Sequence, residues 1–122
     1  MLSQSVPSSQ NPTIANETSD ITLVWNYNIG GTAIFARFLN VTGGRSDRIG
    51  ILVDGRVEVE AKYQDRFRAN LSDSQAWLKI LQVQRSDKGK YQFDLSRTSG
   101  SPISSQLDLI VHCKCLPLLI QM

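Results

Sequence analysis

The side chains best suited to metal chemistry lie together near the end of the chain. His112, the only histidine, is followed by Cys113 and Cys115, the only cysteines. A closed zinc site needs four ligands in tetrahedral geometry, so three candidates at this spacing predict no metal site. Two cysteines separated by one residue also cannot bridge two sheets. We therefore interpret this segment as the start of a tail.

Three acidic residues could in principle serve general acid–base chemistry. Asp54, Glu58 and Glu60 are close in sequence, but the two glutamates alternate with valines, which is typical of the solvent-facing side of a strand. No G-x-S-x-G elbow accompanies His112. Neither glycine pair, at 30–31 or 43–44, has the strand–glycine–helix context of a phosphate-binding loop. The sequence predicts no enzyme activity and no cofactor.

Alternation of apolar and polar residues organises most of the chain. The alternating or apolar segments are separated by glycine-rich turns, and Asp54-Gly55 is a type I′ hairpin signal. No segment has a clear helical period, so the spacing predicts an antiparallel β-sandwich. The predicted strands are Ile21–Tyr27, Ala33–Leu39, Ile49–Val53, Val57–Ala61, Phe67–Leu71, Trp77–Val83, Tyr91–Leu95 and Gln106–Val111.

Residues 21–111 resemble a V-set immunoglobulin domain. The residues that carry the resemblance are Arg66-Phe67, Leu78-x-Ile80, Val83 and Asp87-x-Gly89-x-Tyr91. The resemblance implies an all-β, immunoglobulin-like (V-type) antiparallel sandwich with Greek-key connections. It also implies that Arg66 pairs with Asp87, and that the Tyr91 hydroxyl bonds to backbone near Asp87.

The chain departs from that family at its central disulfide. Trp25 and Phe93 stand at the two cysteine positions, and Phe35 stands where the family has its core tryptophan. The resemblance thus implies a core of Trp25, Phe35, Tyr91 and Phe93. A disulfide across such a loop contributes roughly 2–4 kcal/mol, which buried aromatic pairs can approach. A shift of one residue, with Ala36 and Phe38 pointing inward, remains the alternative for the second strand.

The F-G-x-G bulge of antigen-receptor variable domains is also missing from the last strand. The chain is most similar to disulfide-free V-set domains of invertebrate adhesion and immune-type surface receptors. With 13 Lys and Arg against 11 Asp and Glu, the net charge of +2 is too small for a nucleic-acid binder. The longest apolar run, Leu116–Ile120, is too short to span a membrane.

Three N-x-[S/T] sequons, at Asn16, Asn40 and Asn70, favour a secreted, N-glycosylated protein. No signal peptide opens the chain, so we expect an extracellular domain separated from its leader and anchor, or a truncated gene product. We predict a flexible segment at 1–13, a V-set domain at 14–112, and a tail at 113–122 that continues into a stalk or membrane-proximal segment.

The predicted function is recognition of a protein ligand through one sheet and the loops at 28–32, 54–56 and 95–105. If Phe35 points inward, Phe38 is exposed and becomes an interface anchor. Homophilic adhesion and a spacer role in a multidomain array are the alternatives, and a sugar on Asn40 is expected to crowd that sheet. The candidate partner-binding residues are Phe38, Asn28, Asp54, Arg56, Arg97 and Ser99.

Overall fold

The computed structural model describes residues 11–113, which form nine β-strands and no α-helix. The remaining residues, 1–10 and 114–122, hold most of the predicted leading segment and tail, and those predictions lie outside the described residues. Short 3-10 turns lie at Thr42–Gly44, Ala61–Tyr63 and Arg85–Asp87. The strands are β1 Thr13–Asn16, β2 Ile21–Asn26, β3 Ala33–Asn40, β4 Asp47–Val53, β5 Arg56–Val59, β6 Phe67–Leu71, β7 Gln75–Ile80, β8 Gly89–Arg97 and β9 Ile103–His112.

The strands form two sheets. One has six strands in the order β1-β9-β8-β3-β4-β5, and the other has three in the order β2-β7-β6. All ladders are antiparallel except β1–β9, which is parallel. Strands β4 and β5 extend the larger sheet beyond β3, as in a variable-type domain. The predicted fold class, an immunoglobulin-like β-sandwich, is confirmed.

An aromatic cluster joins the two sheets. Trp25 of β2 lies 5.9 Å from the rings of both Phe38 and Phe93, measured between centroids. Phe93 also packs 5.0 Å from Phe38 and stacks on Tyr27 at 5.7 Å. Trp25, Phe38 and Phe93 are fully buried. Rings at these separations attract one another beyond the burial of their surface, so the cluster stabilises the sandwich where the family's disulfide would lie.

The predicted register of β3 is wrong. Phe35, predicted to lie in the core, is 37% exposed, whereas Ala36 and Phe38 are fully buried. The ladders of β3 shift register between Ala33 and Phe35 on the β8 side, and between Phe38 and Leu39 on the β4 side. The first bulge adds Ile34 to β3, and the second adds Ile49 to β4. Between the two bulges, Ala36 and Phe38 face the core and Phe35 and Arg37 face away from it. Phe38 therefore takes the core position that the sequence assigned to Phe35.

A buried polar cluster closes the base of the sandwich. The Arg66 guanidinium donates two hydrogen bonds of 2.9 Å to the buried Asp87 carboxylate, and this hydrogen bonding raises the pKa of Arg66. The Tyr91 hydroxyl donates a 2.6 Å bond to the Asp87 carbonyl. Burial raises the pKa of Tyr91. The ion pair and the tyrosine corner implied by the resemblance are both present.

Candidate functional site

The bulge at the start of β3 exposes two apolar side chains together. Ala33 pairs with Arg97 and Phe35 pairs with Ser96, so Ile34 is the extra residue of the bulge. Ile34 is 63% exposed and Phe35 is 37% exposed. Bulges commonly redirect side chains at sheet margins. Ile34 and Phe35 are therefore adjacent exposed apolar residues near the loop end of β3.

Next to Phe35 lies a hydrogen-bonded network centred on Asp94. The Asp94 carboxylate accepts bonds from Arg37 Nε at 2.9 Å, Gln92 Nε2 at 2.8 Å and Ser104 Oγ at 2.6 Å. Gln106 Nε2 extends the network by donating a 2.7 Å bond to Gln92 Oε1. We call the surface formed by these side chains with Ile34 and Phe35 the outward face. Its members are Ile34, Phe35, Arg37, Gln92, Asp94, Ser104 and Gln106.

Charges on and around the outward face are balanced. Arg37 pairs with Asp94 at 2.9 Å, and its guanidinium lies 5.9 Å from the Phe35 ring centroid, within cation–π range. Arg48 of β4 pairs at 2.6 Å with Glu60, which follows the last residue of β5. Each of these cationic side chains is therefore paired with a carboxylate.

The loop after β8 is shorter than predicted. Leu95 pairs with Ile103, so the strands continue into the predicted loop and leave only residues 98–102 as the connection. Arg97, a candidate partner-binding residue, donates hydrogen bonds to the carbonyls of Asn28, Ile29 and Ser101 at 2.9–3.1 Å. Its guanidinium therefore links the loop that contains Asn28 and Ile29 to the loop that contains Ser101. Engagement of a partner by Arg97 would have to break these bonds.

The other predicted loop residues lie at the same end of the molecule. Asn28, Asp54, Arg56 and Ser99 are all exposed. Asp54 and Gly55 both have positive φ, 50° and 84°, as a type I′ turn requires. Asp54 and Ile34 line one shallow cavity of about 450 Å³. The candidate Phe38 is not among these residues, because it is fully buried; its predicted role as an exposed anchor is wrong.

The three sequons lie away from Phe35. Asn16 ends β1 opposite His112, and Asn70 is exposed on β6 of the three-stranded sheet. Asn40 ends β3, five residues or about 16 Å beyond Phe35. Its side chain lines a cavity at the base of the sandwich. Asn40 therefore lies at the opposite end of β3 from Phe35, and glycosylation of Asn40 stays a prediction.

Residues 11–113 contain no group of three or more His, Cys, Asp or Glu side chains placed to hold a metal ion. No helix in that range is long and apolar enough to cross a membrane. The arrangement that stands out chemically is the outward face, where exposed apolar groups adjoin an ordered polar network.

No protein-family model matches the chain, and no curated protein matches it. Solved structures do match. A chain from a study of T cell specificity and activation by the superantigen toxic shock syndrome toxin-1 has a TM-score of 0.72 and 15% identity, covering 87% of this chain and 97% of that one. The Ig1 domain of mouse SynCAM 2 has a TM-score of 0.70 and 13% identity, covering 91% and 98%.

The titin domains Z1Z2 in complex with telethonin give a TM-score of 0.63 at 17% identity, covering 93% of this chain and 51% of that one. At sequence identities this low, the structural similarity shows a shared fold and nothing more. The strand order and these similarities agree that the chain folds as an immunoglobulin-like domain.

Proposed function

We propose that this chain is an extracellular recognition domain that binds a protein partner through its outward face and adjoining loops. The observation that carries the proposal is the joint exposure of Ile34 and Phe35 beside the Asp94 network. Aromatic side chains surrounded by polar groups are frequent anchors of protein interfaces. The resemblance to disulfide-free V-set domains of adhesion and immune-type surface receptors supports the same role, because those domains recognise other proteins.

Preorganisation of the polar groups supports the same surface. Arg37, Gln92 and Ser104 are already fixed by hydrogen bonds to Asp94. Side chains that are ordered before binding lose little entropy when a partner docks. The Arg97 contacts similarly hold two loops in one arrangement. A partner would meet a rigid surface with a small apolar centre and a polar surround.

The three sequons support the extracellular assignment. An asparagine in N-x-[S/T] can carry a glycan only if the chain enters the secretory pathway. Asn16, Asn40 and Asn70 lie at positions that leave Phe35 uncovered. We propose that all three are glycosylation sites and that the outward face is the sugar-free side of the domain.

Self-association is the second candidate function. A two-fold interface buries the same patch on both copies, which therefore must be complementary to itself. The pairing of Arg37 with Asp94 and of Arg48 with Glu60 leaves no unbalanced charge to repel a second copy. Under this alternative the partner is another copy of the chain on a facing cell. If the domain is instead a spacer in a longer array, it should bind neither a protein partner nor a second copy of itself.

Binding of the secreted domain, displayed as a tetramer, to a panel of cell lines tests the proposal. We expect Phe35→Ser to abolish binding, and Ile110→Ser, which alters an apolar residue exposed on β9 far from the loops, to leave it intact. Equal loss with both variants, or none with Phe35→Ser, would contradict the proposal. Sedimentation over a wide concentration range separates the candidates, because a dimer dissolved by Phe35→Ser would favour self-association.

A further inference from the structure

The cavity at the base of the sandwich has features of a small polar binding site. It encloses about 390 Å³ between the end of β3, the turn after β5 and the Arg66–Asp87 pair. We call it the base cavity, and its relevant lining residues are Asn40, Arg45, Lys62, Tyr63 and Asp65. It lies at the opposite end of β3 from Phe35 and is therefore separate from the outward face.

The side-chain amide of Asn40 is held in one orientation. Its Oδ1 accepts hydrogen bonds from the Thr42 backbone N–H at 3.0 Å and from the Thr42 hydroxyl at 2.6 Å. In a planar amide, Nδ2 then points away from Thr42. Nδ2 donates no hydrogen bond to any residue within 11–113. The atom to which an N-linked sugar attaches is thus unused, on a side chain that lines the base cavity.

Other polar groups of the base cavity are also unpaired. The Tyr63 hydroxyl has no hydrogen bond, and Asp65 has no ion pair, with any side chain in the described range. Lys62 makes only a cation–π contact, with Nζ 5.3 Å from the Tyr63 ring centroid. The Tyr63 ring itself is fixed edge-on against Phe67 at 5.0 Å. A fixed aromatic ring with hydrogen-bonding groups around it suits a sugar ring, which has both apolar C–H and polar O–H surfaces.

We infer that the base cavity receives the first N-acetylglucosamine of a glycan attached to Asn40, and that Tyr63, Lys62 and Asp65 contact that sugar. This rests on the extracellular function proposed above. Attachment forms a bond from Nδ2 to the anomeric carbon of a sugar pyrophosphate donor, breaks the carbon–oxygen bond to pyrophosphate, and releases one amide proton. The bound sugar stabilises the base of the sandwich and directs the rest of the glycan away from the outward face.

The test uses protein secreted from animal cells, with sequon occupancy measured by mass spectrometry. Glycans are then trimmed enzymatically to the single N-acetylglucosamine. Thermal unfolding is compared with that of Asn40→Gln and with that of the unglycosylated natural sequence made in bacteria, which keeps the Asn40–Thr42 hydrogen bonds. We expect the trimmed protein to melt roughly 2–5 °C above both the bacterial protein and Asn40→Gln; a difference from Asn40→Gln alone would reflect only the lost Thr42 hydrogen bonds. The matched control, Asn70→Gln, removes a sugar from the open surface of β6 and should change the melting temperature by under about 1 °C.

The contacts are tested by repeating the comparison in Tyr63→Ala and, because that ring packs on Phe67, also in Lys62→Ala. The difference between trimmed protein and Asn40→Gln should shrink in both backgrounds. An occupied Asn40 with no stabilisation, or stabilisation unchanged in both variants, would overturn the inference. Occupancy of Asn16 or Asn70 without Asn40 would also overturn it, whereas a secreted protein with no sugar at any sequon would contradict the extracellular assignment itself.

Discussion

Trp25 and Phe93, which belong to opposite sheets, lie with their ring centroids 5.9 Å apart at an interplanar angle of 36°. The V-set resemblance assigns both positions to the cysteines of an inter-sheet bridge. A disulfide stabilises mainly by restricting the unfolded chain, whereas two buried rings stabilise through burial and ring–ring contact in the folded state. The contact between the sheets at these two positions therefore does not depend on redox conditions.

The reversed register of β3 predicts opposite effects for two phenylalanines three residues apart. Phe38→Ala should lower the free energy of unfolding by about 3–5 kcal/mol, because it removes a fully buried ring and leaves a cavity. Phe35→Ala should cost under about 1 kcal/mol, because its ring already lies partly in water. Urea denaturation of the two variants measures both values. Comparable losses would mean that both rings are buried.

The tyrosine corner predicts that removing the Tyr91 hydroxyl lowers the free energy of unfolding. Tyr91→Phe removes the 2.6 Å bond to the Asp87 carbonyl in a buried setting and should cost about 1–3 kcal/mol. Tyr63→Phe is the matched control in protein made without glycans, because its hydroxyl then has no hydrogen-bond partner among residues 11–113; we expect a change of under about 0.5 kcal/mol. Denaturant midpoints at neutral pH give the comparison. If Tyr91→Phe left the midpoint unchanged, the hydrogen bond from Tyr91 to the Asp87 carbonyl would not stabilise the domain.

Two tyrosines predict a loss of stability at alkaline pH. Burial raises the pKa of both Tyr27 and Tyr91 above the ordinary 10.0. Below pH 10 both states keep the phenolic protons, so the stabilisation is complete. Above pH 10 the unfolded chain loses these protons first, and the free energy of unfolding should fall by up to about 1.4 kcal/mol per pH unit for each tyrosine. Thermal unfolding from pH 8 to 11 should show a shallower decline in Tyr27→Phe and Tyr91→Phe.

Burial predicts different coupling energies for two ion pairs of similar length. Arg66 and Asp87 meet at 2.9 Å with the carboxylate buried, while Arg48 and Glu60 meet at 2.6 Å at the surface. A double-mutant cycle should give about 1–3 kcal/mol for the first pair and under about 1 kcal/mol for the second. Raising the salt concentration should weaken only the surface pair appreciably. Equal couplings would contradict the distinction.

The sequence predicted the parts of the fold that depend on local patterns. Asp87, Gly89 and Tyr91 identified the base of the sandwich, and Asp54-Gly55 identified a turn that has the expected positive φ values. Period-two alternation also located most strands correctly. These signals act over a few residues, so they survive in a single sequence without knowledge of the partner strands.

Features that depend on which strands pair, and in which register, could not be predicted from local patterns in the sequence. The bulge at Ile34 is a property of the ladder between β3 and β8, and nothing in the run of residues 33–40 marks it. The Ser- and Gly-rich segment after Leu95 suggested a loop, yet its first residues continue β8 to Arg97 and its last residues, from Ile103, begin β9. The base cavity brings Asn40 close to Lys62 and Tyr63, which are more than twenty positions away in the chain.

The most direct test measures which side of β3 faces solvent. Single cysteines are introduced as Phe35→Cys and Phe38→Cys in a background with Cys113→Ser and Cys115→Ser, and their reaction with a thiol reagent is followed under native conditions. We predict fast labelling at position 35 and labelling at position 38 only when the domain unfolds, together with loss of cell binding once position 35 is modified. Rapid labelling at position 38, with protection at position 35, would contradict both the fold of this strand and the proposed recognition surface.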